Sequence, residues 1–225
     1  MKQQKKYAVI LADPPWDYRN QGNGGNKNHY PSMSAAQLIA LPVWRFAADD
    51  SVLVLKATWP FLPLAMRLVE IWGYQHKTGI PFILTQEEPE LDEEGLPLAK
   101  PTWGTGMWVR SCSGVFLIGT RGRAQRPDDH WLGLISKRLK HSKAPPAIYE
   151  YCESMKGPYL ELFARSKRRG WDVWGNEVES DIDPYEGILI SEGGAVSKEV
   201  DRVVMEIRDR WISMEDTYCA VGDAV

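Results

Sequence analysis

Five short apolar runs decide what this chain can become. They are 7–12 (YAVILA), 52–55 (VLVL), 80–84 (IPFIL), 115–118 (VFLI) and 159–163 (YLELF), each four to six residues long. Segments with helical or turn character separate them. Ser34-Ala35-Ala36-Gln37 forms a capping box that predicts a short helix stopping before Pro42. Residues 60–72 predict a second helix, with Pro60 near its first turn and Gly73 just past its end. Pro145 and Pro146 open a third that runs to about Met155. Short buried strands alternating with helices make a wound α/β sheet. Pro81 weakens the third strand, and Gly119 is read as ending the fourth. In such sheets ligands bind beyond the carboxyl ends of the strands.

The chain has 225 residues, enough for one domain with an appendage and a sizeable core. No apolar run approaches the length of a membrane span. The basic start, Met1 to Lys6, leads into too few apolar residues for a secretory signal. Cys112, Cys152 and Cys219 fit neither a zinc site nor a disulfide frame, so reduced thiols in a cytoplasmic protein are expected. The net charge of -3 says little, but its distribution says more. Residues 119–170 hold twelve Lys/Arg against five Asp/Glu, whereas residues 177–225 hold four against thirteen. That asymmetry suggests an anion-facing surface and an acidic tail, although two differing solvated faces would give the same count.

Residues 17–33, rich in Gly, Asn and Pro, read as a loop, and the acidic stretch 86–101 as a loop or insertion. In the tail, Val200, Val203, Val204, Ile207 and Trp211 share one helical face that Ser197 would cap, a packing helix. The expected organisation is a domain over 1–178 and an acidic extension over 179–225.

The first strand runs directly into Asp13-Pro14-Pro15-Trp16. Two prolines fix two φ angles and remove two N–H donors, while their carbonyls remain acceptors. An ionised Asp13 accepts only. Rigid acceptors beside a flat aromatic suit a planar group bearing an NH2, its hydrogens on Asp13 and the Pro14 carbonyl and its ring on Trp16. An aromatic amine is a poor nucleophile because its lone pair is delocalised. Hydrogen bonds to a carboxylate and a carbonyl return density to nitrogen and favour in-line attack on an electrophilic methyl group.

Eight strings follow in order: ADPPW (12–16), YPSMS (30–34), IWGY (71–74), GMWVR (106–110), FLIGTRG (116–122), HSKAPPAIY (141–149), LELFAR (160–165) and WDVWGNE (171–177). On these the chain resembles the MT-A type (MT-A70-like) S-adenosylmethionine-dependent adenine-N6 methyltransferases over about residues 7–178. The resemblance implies a Rossmann-like class I methyltransferase sheet in permuted motif order, catalytic half first, with the acidic helical tail appended. It accounts for the missing G-x-G-x-x-G fingerprint, since LELFAR stands in its place. It implies catalysis by Asp13, Pro14, Pro15 and Trp16. It implies cofactor binding by Asp13, Arg165, Lys167, Asn176 and Glu177. Where the family has a lysine directly before a proline, this chain has Ala144, with Lys143 one residue early as the substitute. Lys56 stands where the eukaryotic catalytic subunit has a tryptophan; a cation there faces phosphate or snorkels to solvent.

Adenine N6 is inaccessible inside a duplex, so the base must be flipped out or single-stranded. Substrate contacts are therefore assigned to Trp16, to Tyr30 in the loop over the base, and to Lys56. Arg121 and Arg123 head a basic run, with Lys137, Arg138 and Lys140 further along, that would hold phosphates. The partner is nucleic acid, DNA favoured over RNA because the compact form suits the bacterial and phage relatives. A homo- or heterodimer stays open, as does a catalytically silent homologue serving as a nucleic-acid-binding subunit. The intact Asp-Pro-Pro-Trp favours activity. N4-cytosine and glutamine methylation are disfavoured by Asp13 together with Trp16.

Overall fold

The computed structural model describes residues 4–17, 32–94, 97–98, 100–102, 108–127, 131–139 and 144–186. Tyr30, Lys140, Lys143, Cys219 and the helix expected over the tail lie outside them. Seven strands form one sheet in the order β7-β3-β6-β2-β1-β8-β9. They are β1 (Tyr7–Ala12), β2 (Ala47–Thr58), β3 (Gln75–Thr85), β6 (Ser113–Arg121), β7 (Leu134–Lys137), β8 (Tyr159–Leu162) and β9 (Trp171–Trp174). A separate two-stranded ribbon, β4 (Glu90–Leu91) with β5 (Pro97–Leu98), lies within the acidic insertion. β1, β2, β8 and β9 run parallel, β6 runs against both β2 and β3, and β7 is parallel to β3. One reversed strand in an otherwise parallel sheet, with the first strand in its interior, makes this a methyltransferase-like α/β fold in permuted order.

The interior position of β1 explains its unbroken apolar run. Flanked by β2 and β8, it is covered on both faces and needs no alternation. One face packs α1 (Ala35–Ala40) and α2 (Leu62–Ile71) over Ile10, Leu53, Leu55 and Leu117. The other packs α3 (Pro146–Glu153) over Leu11, Val54 and Phe116. The capping box is present: Ser34 Oγ accepts from the Gln37 N–H, and the Gln37 side chain accepts from the Ser34 N–H. Gly73 follows α2 with φ of +89°, the left-handed ending expected of a glycine there.

One strand boundary differs from expectation. β6 continues through Gly119 to Arg121, because a Cβ at Gly119 would press on Val69 and Tyr74. The glycine is there to let α2 sit close, and the turn falls at Gly122, φ +60°. Pro81 sits inside β3, which is internal; β7 begins pairing only at Phe82, so β3 has one neighbour at the proline. Beyond 178 the chain stays on the domain as far as Glu186. Arg45 donates to the carbonyls of Pro184 and Glu186, and Ile182 and Tyr185 pack against the core.

Candidate active site

The parallel strands fix which end of the sheet does chemistry. β1 delivers Asp13 to Trp16 at its carboxyl end, and next to it β8 delivers Phe163 to Arg165. One strand further, β9 delivers Gly175 to Glu177. The Asp-Pro-Pro-Trp segment is a tight turn in which the Trp16 N–H donates to the Pro14 carbonyl at 2.9 Å. That carbonyl, expected as an acceptor for substrate, therefore already has one donor and retains one lone pair. The Pro15 carbonyl accepts from the Met33 N–H at 2.9 Å, and Ser32 Oγ donates to Asp17 Oδ1 at 3.2 Å. These contacts tie the segment ending at Asp17 to the one beginning at Ser32.

Trp16 is more core than wall. It is 8% exposed and stacks on Phe61 with centroids 5.2 Å apart at 14°. Its Nε1 is buried with no hydrogen-bond partner among the described residues. Lys56 does not snorkel to solvent but is paired within the protein. Its Nζ lies 2.7 Å from Asp13 Oδ2, with side-chain exposures of 12% and 21%. The in-register positions Leu11 and Val54 put Asp13 and Lys56 at the ends of neighbouring strands, on the α3 face.

On that face β8 carries a buried acid. Glu161, 7% exposed, accepts from the Tyr149 hydroxyl of α3 at 2.9 Å. Burial first, then the charge of Glu161, holds that hydroxyl well above the ordinary tyrosine range, and Asp13 adds to the effect. Tyr149 thus senses both carboxylates. Sequence reasoning passed over Glu161, although an ionisable residue inside a buried strand is a signal in its own right.

The cofactor-side residues fall into two groups. Arg165 approaches Glu177 at 3.7 Å, and Asn176 is exposed beside it. The two loops can meet because residue 175 is glycine: any Cβ there would run into the backbone of Ala164. The Ala164 N–H donates to the Trp174 carbonyl at 2.9 Å across the same gap. Phe163 takes φ of +64°, a left-handed conformation uncommon for so bulky a residue, at the place where a glycine-rich loop would turn. Lys167 points elsewhere, its ammonium held by Asp181 at 2.9 Å and Glu179 at 3.8 Å.

Arg121 and Arg123 are not brought to this site. Arg121 pairs in register with Ser51, at the amino end of β2, five positions before Lys56. At roughly 3.3 Å per residue that is about 17 Å from the Asp13 end of the sheet. Arg123 follows the Gly122 turn and its N–H donates to Asp50. The cause is the reversed direction of β6, which the sequence did not disclose. Lys137 ends β7 opposite Thr85, at the same carboxyl end of the sheet as Asp13 although four strand spacings, about 19 Å, to the side, and Arg138 follows it; both are exposed.

A permuted methyltransferase-like sheet, with an acidic proline turn beside an arginine–glutamate loop pair, defines a class of group-transfer proteins. Within it the family is specific: a profile of the MT-A70 family matches residues 7–177, and the chain belongs to that family. It is similar to the type II methyltransferase M.MunI of Mycoplasma sp, 28% identical over 198 residues covering 77% of this chain and 78% of that protein. Human N(6)-adenine-specific methyltransferase METTL4 is 28% identical over 193 residues, but only 38% of its length is covered. The human N(6)-adenosine-methyltransferase catalytic subunit METTL3 is 25% identical over 183 residues, with 28% of its length covered.

Proposed function

We propose that this chain is an adenine-N6 methyltransferase that uses S-adenosylmethionine and acts on nucleic acid, with DNA favoured over RNA. The observation that carries the reading is the adjacency of two strand ends. The Asp13 turn and the Arg165–Glu177 loop pair leave the sheet from neighbouring parallel strands, so an amine at one and a methyl donor at the other would be neighbours.

The residues present suit the cofactor. S-adenosylmethionine carries a sulfonium, an ammonium and a carboxylate, net +1, and supplies the electrophilic methyl group. Asp13, Glu161 and Lys56 together give the α3 face of the site a net -1. Glu177 and Asn176 offer acceptors and a donor suited to ribose hydroxyls, and Arg165 positions Glu177. Asp13 would accept from the adenine amine and oppose charge developing on nitrogen. The Pro14 carbonyl has one lone pair left for the second hydrogen. Trp16, backed by Phe61, limits how far the base can slide. Lys137 and Arg138 stand at the same end of the sheet and suit phosphates there. DNA is favoured because the match extends over most of the type II methyltransferase and over a minor part of the adenosine-methyltransferase subunit.

The test is incubation with methyl-labelled S-adenosylmethionine and separate DNA and RNA pools, followed by nucleoside analysis. N6-methyladenine from DNA is expected. Label in cytosine, or none, overturns the reaction, and label in RNA alone overturns the choice of substrate. Binding should also weaken with salt as phosphate contacts release counterions. Replacing Lys137 and Arg138 by Ala should flatten that dependence, whereas replacing Arg121 and Arg123 should not.

A further inference from the structure

We propose that Lys56 is a positioning residue for Asp13, anchoring one carboxylate oxygen so that the other is presented to the substrate amine. The inference rests on the reading of the site as an adenine methyltransferase and assigns a role which that reading does not supply.

The geometry is one-sided. Lys56 Nζ engages Asp13 Oδ2 at 2.7 Å, and among the described residues no second side chain donates to that carboxylate. The other polar groups facing it are committed. Tyr149 of α3 gives its hydroxyl to Glu161 of β8, and Glu161 can only accept. Lys56 is itself tightly placed. It ends a buried stretch of β2, is 12% exposed, and has its ammonium 5.9 Å from the centroid of the Phe82 ring. Such an ammonium has little alternative to Asp13, because leaving either partner of a partly dried pair alone is costly.

The identity of the residue matters. An ammonium is a point donor and can hold a single oxygen. A guanidinium is a planar fork that tends to take both oxygens of a carboxylate at once. A lysine therefore keeps Asp13 aimed while leaving Oδ1 for the incoming NH2, whereas an arginine would close off both. A misaligned acceptor is expensive in rate, since small displacements from the reactive geometry cost up to about 100-fold. The other reading of Lys56, a phosphate contact, predicts a binding defect instead.

The experiment is steady-state methylation of adenine-containing oligonucleotides by the parent protein, Lys56→Met and Lys56→Arg, with thermal melts of each. Lys56→Met should lower kcat by about 10–100-fold, with KM for oligonucleotide and for S-adenosylmethionine within about threefold of the parent. Lys56→Arg should melt like the parent yet also lose rate, because its charge remains and its fork does not leave Oδ1 free. That result stays informative even where the methionine variant fails to fold. An arginine variant at the parental kcat overturns the single-oxygen argument. A raised KM at unchanged kcat assigns Lys56 to phosphate and overturns the proposal. A parent protein that methylates neither DNA nor RNA overturns the enzyme reading as a whole; an active parent with indifferent variants overturns this proposal alone.

Discussion

Asp13 is held in place before any substrate arrives, and that preorganisation sets the expectation for its removal. Asp13→Asn keeps the shape, loses the charge and leaves Lys56 facing an amide. Loss of one electrostatic contact of this kind commonly costs about 10²–10³ in kcat with little change in binding. Steady-state kinetics on a folded variant checks it, and parental kcat would reduce Asp13 to a turn residue. Trp16→Ala carries a different expectation than its place in the motif suggested. A large side chain stacked on Phe61 and 8% exposed is part of the core, so truncation should cost about 3–5 kcal/mol of stability. A urea titration reads this directly, and a loss below about 1 kcal/mol would make Trp16 a surface wall after all. Asp13 could be proposed as the catalytic aspartate from the sequence because its motif is contiguous. Its ion-pair partner could not. Lys56 lies 43 positions away and meets Asp13 only through the parallel register of β1 and β2.

At the scale of elements, β8 and β9 form one cradle through the glycine between them. Gly175→Ala should force the Ala164 and Trp174 loops apart and separate Arg165 from Glu177. Calorimetry should then show S-adenosylmethionine binding weakened by about tenfold or more, comparable to the loss of one buried hydrogen bond. Binding at parental strength would mean the cradle does not hold the cofactor. β1, α1 and the outline of α2 and α3 could be read from the chain because local signals define them: unbroken apolar runs, a capping box, a glycine stop. The strands β7 and β9 could not. β9 is four residues with a polar side chain in the middle, and Asp172 is accommodated by accepting from Lys5 and from Tyr7 at the start of β1, one strand beyond β8. β2 runs to twelve residues although only four read as buried. Its exposed Asp49 and Asp50 fall where the register with β1 shifts, between the Tyr7–Ala47 and Val9–Val52 pairs, and break the apolar pattern.

For the whole molecule, the ionisable groups predict a stability plateau with two edges. On the acid side, the Arg168 fork first, with help from the Trp171 N–H, holds Glu153 below its ordinary range. The Lys167 hydrogen bond does the same for Asp181. A lowered carboxylate contributes stability that is complete above its unfolded pKa, about 4, and is lost as pH falls through its folded value. On the alkaline side, burial pushes the Tyr74 and Tyr151 hydroxyls up to about 12. A raised tyrosine leaves stability intact below about 10 and removes it as pH climbs toward the folded value. Melting temperature against pH should therefore be flat through neutrality and fall at both ends. Arg168→Met should make the acid edge shallower relative to its own plateau. An acid edge unchanged by that substitution would show that other carboxylates set it.

The central register of the sheet also has a consequence in time. Within the sheet, β1 is made before every other strand, and one of its two neighbours is encoded 150 residues later, as the pairing of Val9 with Tyr159 shows. At about 5–20 residues per second, synthesis separates the two by roughly 8–30 s. Throughout that interval the β8 side of β1 is an uncovered edge of apolar chain, open to pairing with the wrong partner. The permuted order that puts the Asp-Pro-Pro-Trp strand first thus makes the growing chain depend on strands made much later for protection, and sequence-distant pairing of this kind folds slowly.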